Sequence, residues 1–205
     1  MGTGSIFITF GMIAGGYFLG SISPSYIYCK WTKGVDIRTI GDKNPGAGNI
    51  ATVIGSTPAF IIAFIDFCKG IVPVLIAKNL GISLPCLIVI GLITVTGHDW
   101  SIFLNFRGGK GTLTSLGASV FLLPFETLFA FSVWLFIHYI MKVRFIGSVI
   151  TFSLILFLTW LVSYRFFGEP KYLLLFPLGI LVLFLMRMPE NIKNFFQKRS
   201  TQAGG

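Results

Sequence analysis

The chain has 205 residues, of which 54% are hydrophobic and 11% are charged, and its mean hydropathy is +0.84. A soluble domain usually carries about twice that charged fraction, and a disordered chain contains far fewer apolar residues, so the composition speaks against both classes. The net charge is +9, and the basic residues lie between apolar runs, which is typical of membrane topology rather than of nucleic acid binding. We therefore expect one membrane domain with no nucleic acid partner, and anionic lipid head groups or an anionic substrate as partners.

Seven apolar segments predict an all-α, polytopic integral membrane protein, because roughly 20 apolar residues cross a bilayer as a helix. One boundary stays open: Pro124-Phe125-Glu126 interrupts the apolar stretch 112–140, which is either one bent span or two helices. We expect a single transmembrane domain over residues 1–199 and a disordered tail over residues 200–205. The seven predicted helices cover residues 5–28, 57–77, 81–97, 112–123, 126–141, 146–163 and 172–186.

The distribution of Lys and Arg separates the two alternatives. Seven spans with the amino terminus outside place twelve basic residues in cytoplasmic loops and three in external loops, whereas one span over 112–140 gives eight against seven. The sharper asymmetry predicts seven transmembrane helices, with the amino terminus outside and the carboxyl terminus cytosolic. The twelve are Lys30, Lys33, Arg38, Lys43, Arg107, Lys110, Lys142, Arg144, Arg187, Lys193, Lys198 and Arg199, and the three are Lys78, Arg165 and Lys171.

Residues 36–49, in the first predicted cytoplasmic loop, are rich in glycine and asparagine. Glycines let backbone N–H groups turn toward one point, which makes an anion-binding nest, and Arg38 and Lys43 add positive charge. The alternative is a flexible turn between two helices, and the sequence leaves both interpretations open.

The loop before the fourth predicted helix is more specific. Arg107-Gly108-Gly109-Lys110-Gly111 places three glycines around one lysine directly before an apolar segment. We expect the N–H groups of the loop and the positive end of the helix to converge on an anion, with Lys110 adding a point charge. The spacing is not that of a Walker A loop, because the first glycine of that motif is missing. The pattern predicts phosphate binding, and its alternative is a basic turn that fixes topology.

Further ionisable residues are expected on the same side of the membrane. His98 is a candidate general base or anion ligand, or a structural residue bonded to a neighbouring loop. Asp66 and Lys69 lie three residues apart on one helix face, where we expect them to pair in the protein interior because isolated charges are costly in a bilayer. Lys69 is alternatively a cation that neutralises a bound anion. Glu190-Asn191 follows the last predicted helix, and the cysteine spacing predicts no metal site.

These motifs together resemble the bacterial acyl-phosphate:glycerol-3-phosphate acyltransferases, the PlsY family, over nearly the whole chain. Each motif is weak alone, but their order and their placement between apolar helices resemble the family pattern. The motifs are Gly20-Ser21-Ile22, Val35-Asp36-Ile37-Arg38 with Gly41, Asn44-Pro45-Gly46-Ala47 and Asn49, Asp66-Phe67-Cys68-Lys69-Gly70, Gly97-His98, Phe106-Arg107-Gly108-Gly109-Lys110-Gly111 and Glu190-Asn191-Ile192.

The resemblance implies transfer of a fatty acyl group from acyl phosphate to the 1-hydroxyl of sn-glycerol 3-phosphate, giving lysophosphatidic acid and phosphate in phospholipid biosynthesis. It also implies an active site on the cytosolic face of the bacterial plasma (inner) membrane, with these two substrates and membrane lipids as partners and with no metal, other cofactor or acyl-CoA. The oligomeric state stays open. The resemblance implies substrate binding by Arg38, Asn44, Gly46, Asn49, Lys69, Gly108, Gly109, Lys110 and Gly111, and catalytic roles for Asn191, His98 and Asp42.

Three positions depart from the family pattern. Asp42 stands where a serine is usual, Thr52 where an arginine is usual and Met188 where a histidine is usual. We expect Arg38 and Lys43 to neutralise Asp42, and we expect slower acylation of glycerol 3-phosphate than in ordinary members, or another acceptor. Two alternatives stay open: a weakly active or inactive relative that binds a lipid precursor or another membrane enzyme, and a small-anion transporter, which needs access from both sides.

Overall fold

The computed structural model describes the backbone of residues 3–141 and 144–187 and the side chains of residues 4–137 and 147–187. Within these ranges every regular element is helical, as the apolar pattern predicts. Three short 3₁₀ segments, Ile37–Thr39, Ile102–Leu104 and Lys171–Leu174, lie in the connections, and α8 continues as a π-helix over Thr159–Phe166. The α-helices are α1 Thr3–Ser21, α2 Pro24–Lys33, α3 Ala47–Val53, α4 Ser56–Asn79, α5 Leu84–Asp99, α6 Thr112–Leu122, α7 Pro124–Met141, α8 Arg144–Leu158 and α9 Leu175–Met186.

The first predicted helix, over residues 5–28, is in fact two helices. The break falls at Ile22 and Ser23, where Ser23 caps α2 by accepting a hydrogen bond from the N–H of Tyr26 and Pro24 takes the first helical position. Proline fits that position because its missing N–H would have no partner there. The Ser-Pro pair was therefore a visible signal for a helix start within the apolar run.

The stretch 112–140 consists of two helices rather than one bent helix. Leu123 ends α6, and Pro124 begins α7 directly afterwards. By length and composition, four apolar helical stretches could cross a bilayer, and three further apolar helices are shorter. The span count of seven and the orientation of the chain therefore stay predictions. The four are Gly4–Lys33, Ser56–Asn79, Leu84–Leu104 and Gly147–Phe166, and the three are Thr112–Leu122, Pro124–Ile137 and Lys171–Met186.

The main hydrophobic core joins the helices α4 to α9. Its largest fully buried side chains include Ile90, Leu116, Phe152 and Phe176. Large apolar side chains also cover the outer surface of the bundle, as expected where the surrounding solvent is lipid. Examples with more than half of the side chain exposed are Phe7, Phe10, Phe60, Phe64, Phe129 and Phe136.

Glycines allow the helices around the candidate site to approach closely. A Cβ at Gly20 of α1 would collide with the carbonyl oxygen of Thr94 in α5, and a Cβ at Gly70 of α4 would collide with that of Thr114 in α6. Small residues at helix crossings are the usual means of close packing in a membrane. These contacts bring α1 against α5 and α4 against α6, and α4, α5 and α6 carry polar residues described below.

Candidate active site

The first loop, residues 36–49, is organised around the buried side chain of Asn49. Its Nδ2 donates to the carbonyl oxygens of Ile37 (3.1 Å) and Ile40 (2.9 Å), and its Oδ1 accepts from the N–H of Asp42 (3.0 Å). Asn49 has no exposed surface. Both amide protons of this side chain are thus used inside the loop, so Asn49 orders the loop.

The other predicted residues of the first loop also make local contacts. The carboxylate of Asp42 accepts from the N–H of Asn44 at 3.0 Å, and Gly46 precedes α3 with the side-chain amide of Asn44 packed against its Cα. The described hydrogen bonds of these three residues stay within the first loop and the first turn of α3. None of these described hydrogen bonds reaches the loop over residues 107–111.

Arg38 links the first loop to the loop that follows α5. Its guanidinium bonds both carboxylate oxygens of Asp36, with Nη2 2.8 Å from Oδ2, and its Nη1 donates to the carbonyl oxygen of Leu104 at 2.8 Å. The hydrogen bonds from Arg38 hold the pKa of Asp36 below its usual range. The expectation that Arg38 neutralises Asp42 is therefore wrong, because this guanidinium pairs with Asp36.

Three buried ionisable side chains meet between α4 and α5. Nζ of Lys69 lies 2.9 Å from Oδ1 of Asp66 in an ion pair, and it donates to the carbonyl oxygen of Ile22 at 2.8 Å, between α1 and α2. Nδ1 of His98, on α5, lies 3.6 Å from the same oxygen of Asp66. The expected pairing of Asp66 with Lys69 in the protein interior is present, and His98 joins it from a second helix.

The glycine loop, defined here as residues 107–111, lies against the end of α5. The N–H of Gly108 donates to the carbonyl oxygen of Asp99 at 3.1 Å, and that of Gly109 donates to the carbonyl oxygen of His98 at 2.9 Å. A Cβ at Gly108 would collide with that His98 oxygen, and a Cβ at Gly109 would collide with the His98 ring. The expectation that these two N–H groups bind phosphate is therefore corrected: both are hydrogen-bonded to α5.

The start of α6 and Lys110 are the parts of this region that suit an anion. Gly111 has a φ of 64° and turns the chain into α6, whose first turn has no side-chain cap at Gly111. The unpaired N–H groups of a first helical turn carry partial positive charge. Lys110 is half-buried and directly precedes this turn. A phosphate near Lys110 would thus meet a full positive charge and the positive end of a helix, beside the buried carboxylate of Asp99, which packs against Gly111.

Arg187 belongs to none of the sequence motifs and enters the sequence predictions only as a cytoplasmic basic residue. This residue ends α9, is 6% exposed and donates to the carbonyl oxygens of Gly108 (3.0 Å) and Gly109 (3.0 Å). Its position as the first basic residue after an apolar helix was the available signal. The ends of α5 and α9 and the start of α6 therefore meet at the glycine loop. Asn191 and Met188 lie outside the described residues.

Comparison with protein families gives an independent result for the same chain. The family described as glycerol-3-phosphate acyltransferase matches residues 10–198. A protein of that name from Aquifex aeolicus is 36% identical over 188 residues, which are 89% of this chain and 93% of the relative. One from Thermus thermophilus is 41% identical over 66% of this chain and 70% of the relative. The chain spans about half the length of two relatives from Dehalococcoides mccartyi, at 52% and 51%.

Two solved structures resemble the fold over almost its entire length. Both are crystal structures of PlsY (YgiH), an integral membrane glycerol 3-phosphate acyltransferase. Its glycerol 3-phosphate form is 33% identical with a TM-score of 0.83, and its lysophosphatidic acid form is 32% identical with a TM-score of 0.80. Each covers 93% of this chain and 93% of the compared chain.

Proposed function

Because the chain belongs to the glycerol-3-phosphate acyltransferase family, we propose that it transfers a fatty acyl group from acyl phosphate to the 1-hydroxyl of sn-glycerol 3-phosphate. The products are lysophosphatidic acid and inorganic phosphate. Solved structures of a relative in glycerol 3-phosphate and lysophosphatidic acid forms support this choice of acceptor and product.

The observation that carries the proposal is the junction of the glycine loop, Lys110 and the start of α6. Both proposed substrates are phosphate anions, and two like charges held together require compensation by fixed positive groups. Lys110 and the first turn of α6 supply this compensation at one phosphate. The helices around them are apolar on their outer faces, so an acyl chain can remain in the lipid while its head group is bound.

The proposed reaction needs no covalent intermediate on the protein. The 1-hydroxyl oxygen bonds to the acyl carbonyl carbon, and the bond from that carbon to the phosphate oxygen breaks. The hydroxyl proton passes to an oxygen of the departing phosphate. The protein contributes proximity and orientation. In this scheme His98 supports the glycine loop. Its carbonyl oxygen accepts from the N–H of Gly109, and its ring packs against Gly109.

An assay of the purified protein tests this activity. We expect acyl phosphate and radiolabelled glycerol 3-phosphate to give lysophosphatidic acid and phosphate in equal amounts, and acyl-CoA to give no product. The matched control is the Lys110→Ala variant at the same concentration of folded protein. Folded native protein that forms no product from either donor contradicts the proposal and favours an inactive relative.

The departures at Asp42 and Thr52 support a slow enzyme. The hydroxyl of Thr52 bonds back to the carbonyl oxygen of Gly48, and Asp42 adds a carboxylate to the first loop, so neither residue supplies positive charge. We expect faster transfer in the triple variant Asp42→Ser, Thr52→Arg and Met188→His than in the native chain. An equal or lower rate in the variant would mean that this chain has rebuilt its site with other residues.

We propose that the site faces the cytoplasm in a plasma membrane crossed seven times. The twelve-to-three distribution of basic residues supports this orientation. Lys43→Cys and Lys171→Cys, each in a background without Cys29, Cys68 and Cys86, test it by labelling intact cells with an impermeant thiol reagent. We expect label at position 171 only, and label at position 43 alone would reverse the orientation.

A further inference from the structure

Arg187 holds two consecutive carbonyl groups of the glycine loop. Its Nη2 donates to Gly108 O and to Gly109 O, both at 3.0 Å, and its Nε also donates to Gly109 O at 3.2 Å. Its Cζ lies 5.6 Å from the centre of the Trp100 ring, at the end of α5. A buried arginine at the end of α9 thus bonds the loop from the side opposite to the bonds that the loop makes with α5.

The two sets of bonds fix three successive peptide units. In a trans peptide, the C=O and N–H groups point in opposite directions, and the described chain has no cis peptide bond. The C=O of Gly108 therefore faces Arg187 while the N–H of Gly109 faces the His98 carbonyl. The same geometry turns the C=O of Gly109 toward Arg187 and the N–H of Lys110 away from it.

This restraint matters because glycine has the greatest backbone freedom of any residue. A rotation of the peptide unit between Gly109 and Lys110 would reverse the directions of its C=O and N–H groups, and it would shift Lys110 relative to α6. We propose that Arg187 is a positioning residue that fixes the direction of both carbonyl groups and thereby holds Lys110 at the start of α6, where the substrate phosphate binds. This inference rests on the proposed function, because it concerns the phosphate held at the same loop.

The shape of the arginine side chain is part of the proposal. A guanidinium presents several N–H donors in one plane and can bond two neighbouring oxygens together, whereas an ammonium is a compact point charge on a flexible stem. A lysine at position 187 would retain the charge near the loop and lose the forked geometry. The substitution therefore separates charge from orientation.

Arg187→Lys and Arg187→Met are compared with Arg165→Lys, a control at an exposed arginine in the last turn of the π-helix. We expect kcat/KM to fall about tenfold in Arg187→Lys and about 100-fold in Arg187→Met, since small misplacements in a site have effects of this size. The fall should appear chiefly as a raised KM for one phosphate substrate, and Arg165→Lys should match the native chain. A third variant, Arg187→Ala, tests rescue by a small cation in solution. Guanidinium ion at low millimolar concentration should restore part of its activity, and methylammonium, which lacks the fork of donors, should restore less.

Hydrogen exchange of the backbone provides a readout that does not depend on activity. We expect the amides of Gly108 and Gly109 to exchange faster in Arg187→Lys than in the native chain, while the amides of α4 keep their native rates. Uniformly faster exchange, or native kcat and KM in folded Arg187→Met, would overturn the positioning role. A native chain that forms no lysophosphatidic acid would instead overturn the proposed function, and the exchange of the loop would still test whether Arg187 restrains it.

Discussion

The first loop and the glycine loop have similar compositions and are held in different ways. The first loop is stabilised from within, because Asn49 bonds three of its backbone groups and Arg38 pairs with Asp36. The glycine loop is stabilised from outside, by two carbonyl oxygens of α5 and by Arg187, which directly follows α9. The difference indicates that the first loop supports the site, whereas the glycine loop depends on the bundle for its shape and places Lys110 at a helix start.

Among the substitutions that test this difference, Gly109→Ala is expected to have the largest effect on activity. A Cβ at this position would collide with the His98 ring, so Gly109→Ala must displace the loop or the ring. We expect kcat/KM to fall by about 100-fold, because displacement of a binding group by about 1 Å has effects of this order. Steady-state kinetics measure the change.

Gly15→Ala is the matched control, since no atom lies within 4 Å of a Cβ built there. We expect native kinetics for this variant. Native kinetics for folded Gly109→Ala as well would mean that the packing of the loop on α5 does not determine activity.

The next effect is expected in the first loop, on stability. Asn49→Ala removes the partner of two carbonyl oxygens and one N–H group; the bond to Ile37 is buried, and the bonds to Ile40 and Asp42 are partly buried. We expect the free energy of unfolding to fall by about 2–3 kcal/mol, because each unsatisfied buried group costs about 1–3 kcal/mol. Thermal unfolding in detergent measures the loss. A variant with native stability and a greatly reduced rate would instead give Asn49 a role toward the substrate.

The smallest effect is expected from the ion pair between Asp36 and Arg38. The pKa of Asp36 is lowered by its hydrogen bonds to Arg38, so the folded state favours the carboxylate more than the unfolded state does. This contribution to stability is complete above the ordinary aspartate pKa of about 3.9, and it is lost as the pH falls through the lower pKa of the folded state.

Asp36→Asn provides the comparison for this pH dependence. Between pH 7 and pH 3, we expect the midpoint of thermal unfolding to fall more in the native chain than in Asp36→Asn. Equal slopes for the two proteins would contradict the assignment of the pKa shift to this ion pair.

Much of the helical pattern follows from local sequence, and the site follows from it only in part. Apolar runs identify the helices, and the spacing of Asp66 and Lys69 predicts their pairing because residues three apart share a helix face. Composition favours a single first helix, and the capping signal at Ser23 and Pro24 is what divides it. The sequence also signals the turn at Pro124, and the distribution of basic residues favours two helices over one bent helix, which agrees with the structure.

The direction of the backbone groups in the glycine loop could not be predicted in the same way. Gly108 and Gly109 permit many backbone conformations. Tertiary contacts with α5 and with Arg187, which is distant in sequence, select one of them. His98 is near Asp66 for the same reason, since two helices bring them together. Sequence pattern thus identifies which residues gather at this end of the bundle, and tertiary contacts determine which groups are used for support.

The most direct test of the difference between the two loops is the kinetics of Lys110→Ala measured beside those of Asn49→Ala, with the folded fraction of each determined by thermal unfolding. A charge-assisted contact to phosphate contributes about 1.5–3 kcal/mol, so we predict that Lys110→Ala loses about 10- to 100-fold in kcat/KM with a near-native unfolding temperature. We predict the opposite for Asn49→Ala, which should unfold at a lower temperature and keep near-native kcat/KM in its folded fraction. Native kinetics in Lys110→Ala, with the loss of activity confined to Asn49→Ala, would contradict the placement of the substrate phosphate at the glycine loop.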